Sequence, residues 1–145
     1  MKKRTILIIL SCVLCAFLGL GTWLIIVVNE VPKITVEASE VTVSGFYGKT
    51  IDLVGASVKL VSTDFVGVKK NGVENGLVRK GYFSIVDNSD MQAYVSLEDC
   101  EESYILLIDK NRGYYYLNCK RDEDTRILFT KIQASIIANT PKDGN

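Results

Sequence analysis

The sequence predicts a mainly β fold, an antiparallel β-sandwich or roll with one carboxy-terminal α-helix, preceded by a single amino-terminal transmembrane helix. Three observations support this prediction. An uncharged run covers Thr5–Val28. Beyond it, apolar residues recur at every second position in many segments between residues 34 and 119, which is the period of a β-strand. After Asp122, apolar residues recur at four-residue steps, which is typical of an amphipathic helix.

The first element is a membrane helix. Thr5–Val28 contains 24 residues without a charge, and at about 1.5 Å per residue such a helix crosses a hydrocarbon core of roughly 30 Å. Residues 1–4 carry three cations, whereas Asn29 and Glu30 follow the run. The positive-inside rule therefore predicts a single-pass protein of the cell membrane, with a cytoplasmic stub, an uncleaved signal anchor and a carboxy-terminal domain outside.

Two other interpretations of this segment stay open. A cleaved signal peptide would end at Gly19–Gly21, but the apolar residues 23–28 continue past that point. A lipoprotein would use the sequence from Ile9 to Cys12 as its lipobox, with Cys12 acylated, although the apolar core before it has only six residues. In the anchor interpretation, Cys12 and Cys15 are small apolar residues of a membrane helix.

Residues 29–145 are enough for one domain. We expect a short linker at residues 29–33, stiffened by Pro32, a β domain at residues 34–139 and a flexible tail at residues 140–145. The whole chain has 17 Lys and Arg against 17 Asp and Glu, but residues 29–145 have 14 against 17, a net charge of −3. Nucleic-acid binding needs excess positive charge, so no nucleic-acid partner is expected.

The amino-terminal half of the domain is predicted to contain four short strands. Their apolar positions alternate with polar ones, and the first two strands are joined in a hairpin at Ser39–Glu40. The positions are Ile34, Val36 and Ala38; Val41 and Val43; Ile51 and Leu53; and Val58 and Leu60. The following segment, Ser62–Gly76, contains two Asn-Gly pairs, so we expect a long loop or a small hairpin there.

The carboxy-terminal half adds four more strands. Phe83–Ile85 and Met91–Leu97 alternate in polarity, whereas Tyr104–Ile108 is continuously apolar, which indicates a central strand. The polar turn Asp109–Gly113 predicts a hairpin between that strand and Tyr114–Cys119.

The last element is a helix. Asp122–Asp124 places acidic residues where the amino end of a helix is positive, and Thr140-Pro141 ends it. Its apolar stripe is formed by Leu128, Ile132 and Ile136 and widened by Ile127 and Phe129.

Three segments carry a family resemblance. They are Ile34-x-Val36 with Val41-x-Val43-Ser44-Gly45-Phe46-Tyr47-Gly48-Lys49-x-Ile51-x-Leu53; Asn75-Gly76 through Lys80-Gly81-Tyr82-Phe83; and Tyr104-Ile105-Leu106-Leu107 with Tyr114-Tyr115-Tyr116-Leu117-Asn118. Over about Lys33 to Ala138, the chain resembles the bacterial pleckstrin-homology-like (bacterial PH) domains of small membrane-anchored proteins. The resemblance implies two packed antiparallel sheets with a carboxy-terminal helix plugging one end, and it implies little about activity.

The sequence departs from the lipid-binding eukaryotic relatives of that family. Those relatives place a basic cluster at the first hairpin turn, where this chain has Ala38-Ser39-Glu40. Their characteristic helix tryptophan is also missing, because Trp23 is the only tryptophan and lies in the apolar run. Phosphoinositide binding is therefore not expected.

No catalytic, cofactor-binding or metal-binding residue stands out in the sequence. The chain contains no histidine, the most frequent general base and metal ligand. The densest acidic stretch comprises Glu98, Asp99, Glu101 and Glu102. It lacks the spacing of a calcium-binding loop, and a solvated loop explains it better than an acid–base or Ca²⁺ site.

Cys100 and Cys119 are the only cysteines of the domain. Outside the cell they could oxidise, and the predicted hairpin brings residue 119 opposite about residue 104. A bridge requires Cα atoms within about 7 Å. Both a disulfide and two separate thiols stay open.

Two further groups form a candidate interaction patch. Lys69, Lys70, Arg79 and Lys80 flank the Asn-Gly segment and could face lipid headgroups, although ordinary solvated loop charges explain them better. Tyr114 and Tyr116 share one face of their strand, opposite Tyr115 and Leu117. One face must be core, and the other is either an exposed aromatic patch or, as we favour, packed as well.

The function expected from these features is a membrane-anchored interaction module. It would serve protein–protein interaction or self-association at the outer face of the membrane, with an exposed strand edge as the natural docking surface. The alternatives are a lipid- or ligand-sensing envelope domain and, less favoured because catalytic motifs are missing, an envelope enzyme.

Overall fold

The computed structural model describes residues 2–85 and 88–140. The chain divides into two compact units, Met1–Val31 and Pro32–Asn145. The first unit contains helix α1, Lys2–Asn29. Within α1, Ile6–Val27 is 22 residues long and apolar enough to cross a membrane, and a signal sequence would meet the same description.

The second unit contains nine strands and a helix among the residues that the structure describes. The strands are β1 (Ile34–Glu37), β2 (Glu40–Val43), β3 (Lys49–Asp52), β4 (Ser57–Val61), β5 (Gly67–Asn75), β6 (Val78–Ile85), β7 (Asn88–Leu97), β8 (Tyr104–Ile108) and β9 (Tyr114–Leu117), and the helix is α2 (Asp122–Asn139). The predicted mainly β class, with an apolar helix before the sheets and a helix after them, is confirmed.

The strands form two sheets. One has the order β1-β2-β3 and the other the order β4-β8-β9-β7-β6-β5. Pairing is antiparallel except between β7 and β9, which run parallel. After β7, the chain skips the neighbouring strand position and forms β8, which runs antiparallel to β7. Strand β9 then occupies the position between β8 and β7. Because β9 is antiparallel to β8, it must be parallel to β7, a relationship that strand periodicity does not reveal.

The six-stranded sheet is apolar on both faces. On one face it packs against the three-stranded sheet and α2; we call this cluster the first core. Its buried residues are Val41, Val43, Ile51, Leu53, Tyr94, Ile105, Leu107, Leu117, Leu128 and Ile132. The second core lies on the opposite face and consists of Phe83, Ala93, Val95, Leu97, Cys100, Tyr104 and Tyr116.

Phe65 covers the second core. It lies in the segment 62–66, which joins β4 to β5, the two opposite edges of the six-stranded sheet. Six Cα steps reach at most about 21 Å, whereas five strand spacings in a flat sheet cover about 24 Å. The sheet must therefore curl around this segment. The Phe65 ring makes edge contacts with Phe83, Tyr104 and Tyr116, at centroid distances of 5.9, 6.2 and 5.1 Å.

Of the two expectations for Ser62–Gly76, a long loop or a small hairpin, the structure confirms a hairpin that is longer than expected and contradicts a loop over residues 67–75. Residues 67–75 form β5, which pairs with β6 in a long hairpin. Only the second Asn-Gly pair makes a turn, with Gly76 at a φ of 56°. The first pair lies inside β5 beside a bulge between Lys69 and Asn71. There Gly72 stands opposite Gly81, whose φ is 115°.

Helix α2 differs from the prediction on one side. Thr125, Leu128 and Ile132 are buried, as a helical stripe requires, but Ile127 is 49% exposed and is not part of the core. The carboxy-terminal half of α2 is hydrogen-bonded to the β1–β2 turn. Asn139 Nδ2 donates to the carbonyl of Ala38 at 2.9 Å, and Ser135 Oγ donates to the same carbonyl.

Candidate functional site

The structure divides the predicted basic patch. Arg79 pairs with Glu74 at 3.1 Å, and Lys80 is buried in an ion pair with Glu98 at 3.3 Å. Adjacent residues of a strand point to opposite faces of the sheet, so the side chains of Arg79 and Lys80 lie on opposite faces. The prediction that Arg79 and Lys80 form part of an exposed patch is therefore wrong for Lys80 and weakened for Arg79, which is only half-exposed.

The tyrosines of β9 are part of the two cores. Tyr116 is buried in the second core and Tyr114 packs against it, whereas Tyr115 packs against the first core beside Leu117. The predicted division of the strand into two faces is confirmed. Both faces are covered, so the alternative of an exposed aromatic patch at Tyr116 is wrong.

Asp109 organises the turn between β8 and β9. Its carboxylate accepts hydrogen bonds from the backbone N–H groups of Asn111 and Gly113, each at 2.8 Å, and from the Tyr115 hydroxyl at 2.8 Å. Burial opposes ionisation, but these hydrogen bonds outweigh it and lower the pKa of Asp109. Burial and the bond to Asp109 raise the pKa of Tyr115 to about 12. These hydrogen bonds stabilise the turn of the β8–β9 hairpin.

The acidic stretch at residues 98–102 is held by a residue that sequence reasoning missed. Asn118 is fully buried, accepts a hydrogen bond from the Glu98 N–H at 2.8 Å and donates to the Asp99 carbonyl at 2.5 Å. The Cys100 backbone in turn bonds Phe65 and Leu77, at 3.0 and 2.9 Å. Only the position of a polar residue directly after an apolar strand signals Asn118 in the sequence.

Cys100 and Cys119 are free thiols in the structure. Cys100 belongs to the second core, and Cys119 packs against the first core. Burial, together with the nearby Asp124 and Glu98 carboxylates, raises the pKa of Cys119. A raised pKa disfavours the Cys119 thiolate. The two cysteines lie in cores on opposite faces of the six-stranded sheet, and this placement favours two separate thiols.

The remaining candidate is the outer edge of β5. This strand pairs with β6 alone among the described strands, so its other side presents unpaired N–H and C=O groups. Val66, directly before β5, and Val68 within it are 61% and 58% exposed. Lys69 and Lys70 follow, both exposed. We call these four residues and the outward side of β5 the β5 edge.

Two lysines lie at the β5 edge. Among residues 6–27, 30–85 and 91–140, whose side chains the structure describes, neither Lys69 nor Lys70 has a carboxylate at ion-pair distance. The bulge lies at the same place, between Lys69 and Asn71. Lysines and bulges on an edge strand discourage indiscriminate strand pairing. Two lysines at this position would repel a basic strand.

Comparison of the chain with protein-family models, with curated proteins and with solved structures finds no match.

Proposed function

We propose that this protein is a membrane-tethered docking module that binds an extended, acidic segment of another protein along the β5 edge. The observation that carries the proposal is the β5 edge itself. It combines a nine-residue strand whose outward side is unpaired among the described strands, two exposed valines, and two lysines with no ion-pair partner among the side chains that the structure describes.

The length of the edge supports a peptide ligand. Nine residues of β5 extend over about 30 Å at 3.3 Å per residue. An added strand would gain main-chain hydrogen bonds from the edge and side-chain contacts from the exposed valines. The main-chain bonds supply affinity, and the side chains supply selectivity.

The charge of the edge supports an acidic ligand rather than a second β5. Glu74, the acidic residue of β5, is already paired with Arg79. Two β5 edges brought together would therefore gather four lysines with no free acidic partner from the strand. Like charges on directly paired strands are destabilising. Acidic side chains on the incoming strand remove this repulsion.

The tether in this proposal is α1, with residues 1–4 in the cytoplasm and the β domain outside. The cations before the apolar run and the continuation of that run to Val28 support an uncleaved anchor in this orientation. In the same proposal, the β domain belongs with the pleckstrin-homology-like modules that its sequence resembles.

Hydrogen exchange on the full chain in detergent micelles tests the docking edge. The probes are two blocked octapeptides, (Val-Glu)₄ and (Val-Lys)₄. We expect (Val-Glu)₄ to slow exchange of the amides of residues 67–75 and (Val-Lys)₄ to leave them unchanged. Lys69→Glu/Lys70→Glu should reverse this preference.

The matched control is Lys59→Glu. Lys59 is an exposed lysine on β4, the opposite edge of the same sheet. This variant should bind (Val-Glu)₄ as the parent chain does. Equal protection of β4 and β5, or no protection by the acidic peptide, contradicts the proposal.

A further inference from the structure

The helix α2 carries a second apolar stripe on its outward side. Ile127 and Ile137 are 49% and 69% exposed, and Thr130 and Ala134 between them are exposed as well. Their spacing of three, four and three residues places them on one face of the helix, as in the seam of a coiled coil. We call these four residues the outer stripe.

The outer stripe is separate from the core. Leu128 and Ile132 are the residues of α2 buried in the first core, and Phe129 and Ile136 pack beside them. The Thr130 hydroxyl donates to the carbonyl of Arg126 at 3.0 Å. Covering the stripe would therefore leave no hydroxyl group without a hydrogen bond, which removes the main cost of burying a threonine.

We propose that the outer stripe is a contact between two copies of this chain, with the two α2 helices antiparallel. The stripe reads large, small, small, large from either end. In an antiparallel pair, Ile127 of one copy meets Ile137 of the other, and Thr130 meets Ala134. Each contact occurs twice about the two-fold axis, which is the requirement for an isologous interface.

The order of sizes suits such a crossing. The two small residues lie nearest the two-fold axis, where helix backbones must approach most closely. The two isoleucines lie on either side, about 15 Å apart along the helix at 1.5 Å per residue. Each isoleucine therefore packs beyond the crossing point, where the helices diverge and leave room for a larger side chain.

Charge selects the antiparallel direction. The first turn of α2 contains Asp122, Glu123 and Asp124. Asp122 and Asp124 are ion-paired with Arg126 and Arg121 of the same chain. A parallel pair would bring the two Glu123 carboxylates together at one end, whereas an antiparallel pair separates them and also opposes the two helix dipoles. The flanking Arg126 is paired with Asp122 of its own helix at 2.7 Å, so it adds no unpaired charge to the contact.

The contact is expected to be weak in dilute solution. A standard interface covers about 800 Å² on each partner, and a stripe of four residues on an 18-residue helix supplies less. Copies held in one membrane have a higher effective concentration, so the pair should be populated there. This contact rests on the membrane tether of the proposed function, but it uses α2 and not β5, so it can fail without the docking edge failing.

Disulfide trapping tests the arrangement. The background is the full chain with Cys12→Ala and Cys15→Ala, which removes the two exposed thiols of α1. Ile127→Cys and Ile137→Cys are made separately, with an epitope tag on one so that the mixed dimer is resolved. After oxidation with copper–phenanthroline in membranes, we expect mixed dimers at least fivefold above the dimers of either variant alone, because an antiparallel pair places residue 127 beside residue 137.

The outcomes separate the alternatives. Efficient trapping of each variant with itself, and none in the mixture, means a parallel pair and overturns the arrangement. Trapping no better than that of Thr50→Cys, an exposed position on β3, overturns the contact. Protection of both introduced thiols from a maleimide without trapping between copies means that another protein covers the stripe, which also overturns it.

A pair of charge variants supplies a second measurement. Ala134→Glu and Gln133→Glu add the same charge at adjacent exposed positions, but only residue 134 lies in the outer stripe. In sedimentation equilibrium of the full chain in density-matched detergent, Ala134→Glu should weaken dimerisation at least tenfold. Gln133→Glu should change it less than threefold, and equal effects of the two variants contradict the proposal.

Discussion

Lys80 and Glu98 form an ion pair inside the domain, with each side chain only 8% exposed. Lys80 lies on β6 and Glu98 directly follows the neighbouring strand β7. The pair therefore joins the sheet to the segment that Asn118 holds in place. Lys80, which the sequence places in an exposed patch, is therefore buried, and the effect of its ion pair on the stability of the domain can be measured.

Breaking this pair should be costly. Lys80→Met leaves the Glu98 carboxylate buried without its cation, and we expect the free energy of unfolding to fall by about 3–5 kcal/mol. Lys80→Met/Glu98→Gln should recover part of the loss, because no buried charge then remains unpaired. Arg79→Met is the control and should cost less than about 1 kcal/mol, since its pair with Glu74 is more exposed. Urea unfolding of the full chain in detergent measures all three, and equal losses at positions 79 and 80 contradict the assignment.

Phe65 should be essential for the second core. Phe65→Ala removes three edge contacts with aromatic rings and uncovers one face of the curled sheet. We expect a loss of about 3 kcal/mol in the free energy of unfolding. Phe46→Ala is the matched control, because Phe46 is 58% exposed, and it should change stability by less than about 0.5 kcal/mol. Thermal unfolding followed by near-ultraviolet circular dichroism distinguishes the two.

Asp109 should make the domain sensitive to acid. Its pKa is lower in the folded chain than the ordinary value, so its ionised form stabilises the fold. That contribution is complete above about pH 4, the unfolded value, and is lost as the pH falls through the lower folded pKa. Asp109→Asn should therefore lose less stability between pH 5 and pH 2 than the parent chain. Urea midpoints across this range are the measurement, and unchanged pH dependence in the variant contradicts the prediction.

Gly81 should tolerate no side chain. A Cβ at this position would lie 2.6 Å from the Cα of Gly72 on β5, and the φ of 115° is unfavourable for any other residue. We expect Gly81→Ala to lower the free energy of unfolding by about 3 kcal/mol. Gly76→Ala, at the tip of the same hairpin, meets no atom within 4 Å and should cost only about 1 kcal/mol for its positive φ. A smaller loss at residue 81 than at residue 76 disagrees with this packing.

The proposed orientation also has a direct test. Thr50 is exposed on β3, so Thr50→Cys presents a thiol on the surface of the β domain. In a background with Cys12→Ala and Cys15→Ala, which removes the two exposed thiols of α1, a membrane-impermeant maleimide should label this variant on intact cells. The same background without Thr50→Cys, with its buried Cys100 and half-buried Cys119, should react slowly. Labelling of the variant only after lysis places the domain inside the cell. Intact mass of the labelled chain shows in the same experiment whether residues 1–28 are retained.

Elements with local causes follow from the sequence. The β8–β9 hairpin was predicted from an apolar run, the Asp109–Gly113 turn and a second apolar run, and Ile108 pairs with Tyr114 as that turn requires. Helix α2 begins at Asp122 and ends at Asn139, between the signals that the sequence provides. In these cases the residues that determine the structure lie within a few positions of one another.

The candidate site depended on contacts between distant residues. Lys69 and Lys70 were predicted together with Lys80, but only the position of β5 at the edge and of Glu98 beside β6 decides which lysines face water. Ile127 belongs to a plausible helical stripe, but the width of the surface that α2 meets leaves it outside. Neither the edge position of β5 nor the width of the surface that α2 meets is indicated by residues close together in the sequence.

The sequence by itself determined that an apolar helix precedes a domain of short strands and one closing helix, because charge-free length and periods of two and four are properties of neighbouring residues. Only the tertiary structure decided that the six-stranded sheet has a core on each face and that β9 lies parallel to β7. It also decided that residues 67–75, expected in a long loop or a small hairpin, form the edge strand β5. Strand order, curvature and edge position arise from which distant segments pack together, and periodicity along the chain contains no information about that choice.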